Sequence, residues 1–198
     1  MPDFSPRHLR VFVQTVSAEL GADNLSAVLD KAGLSLLLVD PAAVARFDAP
    51  AAAEAYAGLQ QSLRTYYGRG AHGILLRVGA QFWKRLLNES SLTAKPQIPI
   101  ARTLATAAHP KPALDLLARL LSANPGDITV HTLDLDLLLV DHASPTTTSQ
   151  RDTDPICWVT LGLARQALFW ATGREYDVAE TSCRATGAGA CEFHVKTA

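Results

Sequence analysis

The sequence predicts an α+β fold, with helices packed on an antiparallel sheet. Three observations carry this. Helical spacing of apolar residues dominates the chain as far as Asn124. Period-two alternation begins at Ile128. The strands after it flank one last helix, without the strand–helix–strand alternation of a parallel sheet.

Ser5 to Leu20 is predicted helical, with Pro6 in the first turn and Leu9, Phe12, Val13, Val16 and Leu20 on one face; Gly21 ends it. Asn24 or Ser26 can cap a second helix over Leu25–Ala32, which stops at Gly33. Leu34 to Val39 reads as a loop or short strand before the Asp40-Pro41 break. Asp48 caps a long helix over Ala51–Tyr67. Gly68-Arg69-Gly70 interrupts, and helix resumes from Ala71 to Asn88. Gly73 and Gly79 inside that helix permit close helix packing or leave room for a ligand.

Asn88 to Ile100 is a polar loop. Ala101–Ala108 reads as a turn or two of helix, and Pro110–Ala123 as a short one. Ile128 to Val140 is a hairpin or one bent strand, with the bend near Leu133–Asp136. Ala143 to Thr153 reads as a Ser/Thr/Asp linker. A final helix, apolar nearly all round and so central, runs from Asp154-Pro155 to Thr172. Tyr176–Thr181 and Glu192–Lys196 are two antiparallel strands, joined by a turn at Thr186–Gly189.

The composition narrows the function. Of 198 residues, 48% are hydrophobic, which is enough for a core. Eighteen Lys and Arg against 19 Asp and Glu leave a net charge of −1, so no cationic face for nucleic acid is expected. No apolar run has the length of a membrane span or a signal-peptide core, and a cytoplasmic protein is the expectation. None of the six histidines forms a metal-binding pair, and there is no phosphate loop, dinucleotide fingerprint or nucleophile elbow.

All three cysteines, an odd number for a disulfide scaffold, lie in the last forty-odd residues. With Glu180 they give the spacing C-x22-E-x2-C-x7-C, through Cys157, Glu180, Cys183 and Cys191. Thiolates and a carboxylate suit a borderline-soft divalent cation such as zinc. The helix start is expected to favour thiolate at Cys157. Three residues separate Glu180 from Cys183, so a straight strand would put them on opposite faces. A shared site requires the strand to end or bend near Ser182. The alternative is three buried cysteines and a surface glutamate.

The C-terminal half resembles the 4-vinyl-reductase domain family. The resemblance rests on Cys157-Trp158, Gly173-Arg174-Glu175, Glu180-Thr181-Ser182-Cys183 and Gly187–Phe193, with a looser match at Tyr66–Phe82. This is a hydrocarbon-binding group, related to the phenol-sensing domains of bacterial transcription activators. It is also related to the Bet3-like subunits of the TRAPP complex and to heme–nitric-oxide sensor domains. The resemblance implies that fold, and a zinc ion held by Cys157, Glu180, Cys183 and Cys191. Four protein ligands close the shell, which makes the site structural and not catalytic.

The aromatic residues Tyr66, Tyr67, Phe82, Trp83, Trp158, Phe169 and Trp170 are core or line a ligand pocket. One domain over residues 1–198 is expected. It comprises an N-terminal helical segment (1–48) and a ligand-binding core (49–198), whose metal unit spans 154–196. The resemblance implies a homodimer that binds a small hydrophobic or aromatic molecule and, lacking an ATPase or DNA-binding segment, reports through a regulatory partner. A binding protein is expected rather than an enzyme. The alternatives are an auxiliary or carrier protein in chlorophyll or other tetrapyrrole synthesis, and a ligand-free scaffold.

Overall fold

The computed structural model describes residues 4–89, 97–106, 109–122 and 124–197. The elements are α1 (Pro6–Leu20), α2 (Ala22–Lys31), α3 (Pro41–Val44), α4 (Ala49–Tyr67), α5 (Ala71–Asn88), α6 (Gln97–Leu104), α7 (Lys111–Leu121), β1 (Ile128–Leu133), β2 (Asp136–Asp141), α8 (Trp158–Thr172), β3 (Asp177–Ser182) and β4 (Cys191–Lys196). The strands form one antiparallel sheet in the order β1-β2-β4-β3. The α+β class stands as expected.

Local chemistry sets most boundaries. The Ser5 hydroxyl accepts the His8 N–H at α1, and the Asp48 carboxylate accepts the Ala51 N–H at α4. Gly21, at φ 84°, ends α1 and starts α2 at once. Neither Asn24 nor Ser26 is therefore a cap; Asn24 donates backwards to the Leu20 carbonyl.

Leu36–Val39 is a 3-10 turn, not a strand, started by the Ser35 hydroxyl on the Leu37 N–H. It buries Leu38 and leaves Leu36, Leu37 and Val39 exposed. Four consecutive apolar residues had no partner strand to pair with. α6 begins inside the stretch expected as loop and stops at Leu104; Ala108 and Ala123, expected in helices, lie outside the described residues. Its Pro99 falls in the first turn, where a missing N–H costs nothing.

β1 and β2 are a hairpin, not one bent strand. Leu133 faces Asp136, and Asp134 takes φ 53° in the turn. The stretch after β2, expected as a linker, is packed. Ser144 and Thr146 are fully buried, Gln60 donates to the Thr146 hydroxyl, and Ser149 donates to Glu54 at 2.7 Å. Thr146, Ser149 and Gln150 hydrogen-bond to α4 side chains.

α8 starts at Trp158, later than the sequence implied, because Pro155 and the Cys157 N–H are engaged elsewhere: the Trp158 indole donates to the Pro155 carbonyl. The helix packs on α5, α6, α7 and β3. It crosses α5 at two glycines. A Cβ on Gly79 would lie 2.2 Å from the Val159 carbonyl oxygen, and one on Gly162 2.3 Å from that of Leu76. Gly79 thus serves close packing, whereas Gly73 meets only the Arg77 side chain.

Candidate metal centre

Three elements deliver the site. Cys157 caps the start of α8, Glu180 and Cys183 come from the end of β3, and Cys191 opens β4. The β3–β4 register shifts between Glu180 and Ser182. That irregularity is the bend the spacing required: it cancels the strand's alternation and turns Cys183 toward Glu180. Gly187, at φ 99°, then reverses the chain so that Cys191 returns beside Cys183.

The four ligand atoms lie within 4.8 Å of one another, and the group can hold a metal ion. The sulfurs are separated by 3.4 Å (Cys157–Cys191), 3.8 Å (Cys157–Cys183) and 3.9 Å (Cys183–Cys191). These are far beyond a disulfide bond, and all three cysteines are free. A tetrahedral centre with metal–sulfur bonds of about 2.3 Å has sulfur edges of about 3.8 Å. The trio already stands near that spacing.

Glu180 completes the set. One carboxylate oxygen, Oε2, accepts the Cys157 N–H at 2.8 Å. The other, Oε1, is buried without a hydrogen-bond partner. A buried carboxylate oxygen beside three thiols is a costly arrangement unless something cationic meets it.

The electrostatics agree. Hydrogen bonds from Cys157 and Cys191 hold the Cys183 thiol well below its ordinary pKa, with the Ile156 and Ala185 N–H groups adding to this. Cys157 is pushed well above its usual value by its hydrogen bonds with Cys183 and Cys191 and by burial. Without a metal, the direction is thus toward thiolate at Cys183 and away from it at Cys157, where the helix start was expected to favour it. Burial, then the Cys183 charge, raises Glu180 to about 8. A divalent cation at the centre would reverse this, since it favours the anionic form of every ligand.

Three further groups adjoin the cluster. The Ser144 hydroxyl lies 3.6 Å from Cys157 Sγ. The Arg184 N–H donates to Cys191 Sγ at 3.4 Å. Arg64 on α4 has a buried nitrogen, Nη1, without a partner. Its pKa is lowered by burial and supported by Asp152, Cys157 and Cys183. Lys196 pairs with Asp177 at the surface.

The seven aromatic candidates do not converge. Trp83 and Trp170 stack edge-on in the core at 5.6 Å, and Phe82 packs on Phe12. Trp158 meets His72, and Tyr66 meets Tyr67. Phe169 is exposed and lines an open groove between α5 and α8. None of the seven lines the more enclosed cavity, of about 30 Å³, between α4, α7, the β1–β2 hairpin and α8. Its floor is buried: Phe4, Tyr56, Asp141, Thr160 and Leu163. Its rim is half-buried and includes Ser122, Asp127 and Ile128. Asp141 faces Cys191 across the β2–β4 pairing, so cavity and metal centre share a strand pair.

Residues 142–197 match the 4-vinyl-reductase domain, the family of the resemblance, and the match takes in all four residues of the cluster. Two solved structures are similar over more of the chain. One is an H-NOX protein from S. oneidensis in its Fe(II)NO state, at 14% identity, TM-score 0.59, covering 97% of this chain and 98% of that one. The other is the phenol-responsive sensory domain of the transcription activator PoxR, crystallised with phenol, at 16% identity, TM-score 0.51, covering 73% of each. At these identities the likeness shows the fold alone. No curated protein matches the chain by sequence. Among the described residues, no helix is long and apolar enough to cross a membrane.

Proposed function

We propose that this chain is a zinc-stabilised sensor-type domain that binds a small hydrophobic or aromatic molecule. The observation that carries the metal half is the cluster of three sulfurs and a carboxylate at Cys157, Glu180, Cys183 and Cys191, spaced for a tetrahedral ion and left with one carboxylate oxygen unpartnered. A zinc ion there would act as a cross-link. It would tie the start of α8 to the end of β3 and the start of β4, and it would leave no open position for catalysis. Arg64, Arg184 and Ser144 would orient and balance the thiolates.

The ligand half is supported by the match to the 4-vinyl-reductase domain and by the phenol-bound PoxR domain of similar fold. The cavity behind the metal centre, together with its half-buried rim, is the place we assign to the ligand, since its lining sets Phe4, Tyr56 and Leu163 beside a small number of polar groups. Occupancy there would press on β2 and, through Asp141 and Cys191, on the metal-bearing hairpin. The reading includes a homodimer and a regulatory protein partner, in the cytoplasm, where thiols stay reduced.

The test is thermal denaturation of the metal-loaded protein against a panel of phenols and monocyclic hydrocarbons. A concentration-dependent rise in Tm is expected with at least one of them. No shift across the panel would count against ligand binding, and would leave the metal claim to its own test.

A further inference from the structure

The cavity floor combines two features that rarely meet by accident. The first is a buried acid. Asp141 is 3% exposed, and its carboxylate accepts only short local hydrogen bonds, one of them from the Ala143 N–H at 3.0 Å. A second carboxylate, Asp127, stands on the rim close enough to disfavour the Asp141 charge. Arg184 acts on Asp141 through space but does not line the cavity. No lysine, arginine or histidine lines it. The second feature is an aromatic wall: Phe4 and Tyr56 lie with ring centroids 4.5 Å apart. In addition, the Ser122 hydroxyl on the rim is buried without a hydrogen-bond partner.

A buried acid with aromatic rings beside it, and no basic side chain in the lining, is a pattern that receives an organic cation. The space fits a head group: about 30 Å³ is room for an ammonium, while a benzene-sized body needs several times more. The half-buried rim gives the body of a ligand its way out.

We propose that the cavity binds a small primary amine, with its ammonium group on Asp141 beside Phe4 and Tyr56 and its apolar body at the half-buried rim. This rests on the ligand-binding reading above and narrows it from any small aromatic to an aminated one. Charge complementarity at Asp141 would set the preference: an ammonium offsets the buried carboxylate, whereas a hydroxyl of equal size only hydrogen-bonds to it. A charge-assisted contact exceeds a neutral one by about tenfold or more in affinity.

The experiment is calorimetric titration of the full metal-loaded chain with benzylamine, benzyl alcohol and ammonium chloride at neutral pH. The expected result is benzylamine binding at least about tenfold tighter than benzyl alcohol, with ammonium chloride weaker than either. Asp141→Asn should abolish the preference for the amine while leaving benzyl alcohol binding in place. Ser122→Leu, which narrows the rim without touching the acid, should weaken both organic ligands and guards against a misfolded Asp141 variant. Equal binding of amine and alcohol would overturn the proposal and leave the ligand-binding reading standing. Equal binding of ammonium chloride would overturn it in favour of a bare cation site. Binding of none of the three would overturn it together with the cavity assignment.

Discussion

The Cys157 N–H donates to Glu180 Oε2 at 2.8 Å, across 23 residues of chain, while Glu180 Oε1 has no hydrogen-bond partner. One carboxylate thus has two tasks: one oxygen fixes the start of α8 and the other faces the thiols. The tasks separate on mutation. Glu180→Gln keeps an acceptor for the Cys157 N–H but removes the anionic ligand. It should fold, with metal affinity reduced at least about tenfold. Glu180→Ala removes both and should also lower Tm. Chelator competition and thermal melts on the two variants check this.

The α5–α8 crossing allows no side chain at its contact. Gly79→Ala and Gly162→Ala would each place a Cβ within 2.3 Å of a backbone carbonyl oxygen on the facing helix. Backbone cannot give way as a side-chain tip can. We expect each substitution to cost on the order of 2–4 kcal/mol in urea denaturation, despite the better helix propensity of alanine. Gly73→Ala, which meets only the end of Arg77, should be neutral or slightly stabilising.

Arg64 is a half-buried cation whose charge is supported by Asp152, Cys157 and Cys183. Replacing it by Met keeps most of its packing and removes the charge that offsets the thiolates. Metal affinity of Arg64→Met should fall by about tenfold to a hundredfold, with the apo protein little changed. An unchanged affinity would show that Arg184 carries the compensation alone.

Asp141 makes stability depend on pH in an unusual direction. Burial is the main cause that raises its pKa from 3.8 to about 6. A carboxyl raised in the folded state binds its proton more tightly there than in the unfolded chain. Its contribution is therefore most favourable below about pH 4 and is lost as pH rises through about 6. The loss is about 3 kcal/mol at most. His8, lowered to about 4 by burial and by Arg7, has the opposite sign and is destabilising as pH falls below about 6.5. The two oppose each other between pH 4 and 6. Asp141→Asn should raise stability at pH 7 by about 1–2 kcal/mol and unmask the His8 slope in that window. Denaturant titrations at pH 4, 5, 6 and 7 measure it.

What could be read from the chain was what lies close along it. The metal cluster was legible through the resemblance to the 4-vinyl-reductase domain, whose motif Glu180, Cys183 and Cys191 carry within one hairpin; spacing alone left it open, but strand parity named the bend later found near Ser182. Gly79 was legible as a close contact, though not its partner Gly162. Arg64 and Ser144 were not, since their link to the cluster exists only after α4 packs against the segment that follows β2. The cavity was missed for a related reason. Phe4, Tyr56, Asp141 and Thr160 come from four separate parts of the chain, and no local pattern marks them. The aromatic candidates were chosen by residue type on helices read as central; of the seven, Phe82 and Trp83 are buried in the core, and none lines the cavity. Leu36–Val39 shows the limit of apolar runs: with no strand to pair with, a short hydrophobic stretch closes as a turn.

Everything proposed for the C-terminal unit depends on Cys157, Glu180, Cys183 and Cys191 holding one zinc ion per chain. X-ray absorption at the zinc edge, with elemental analysis of untagged protein purified under reducing conditions, tests it. We expect one zinc per chain, three sulfur neighbours at about 2.3 Å and one oxygen at about 2.0–2.2 Å. A protein that is fully folded with no stoichiometric metal, or a zinc shell without three sulfurs, would refute it.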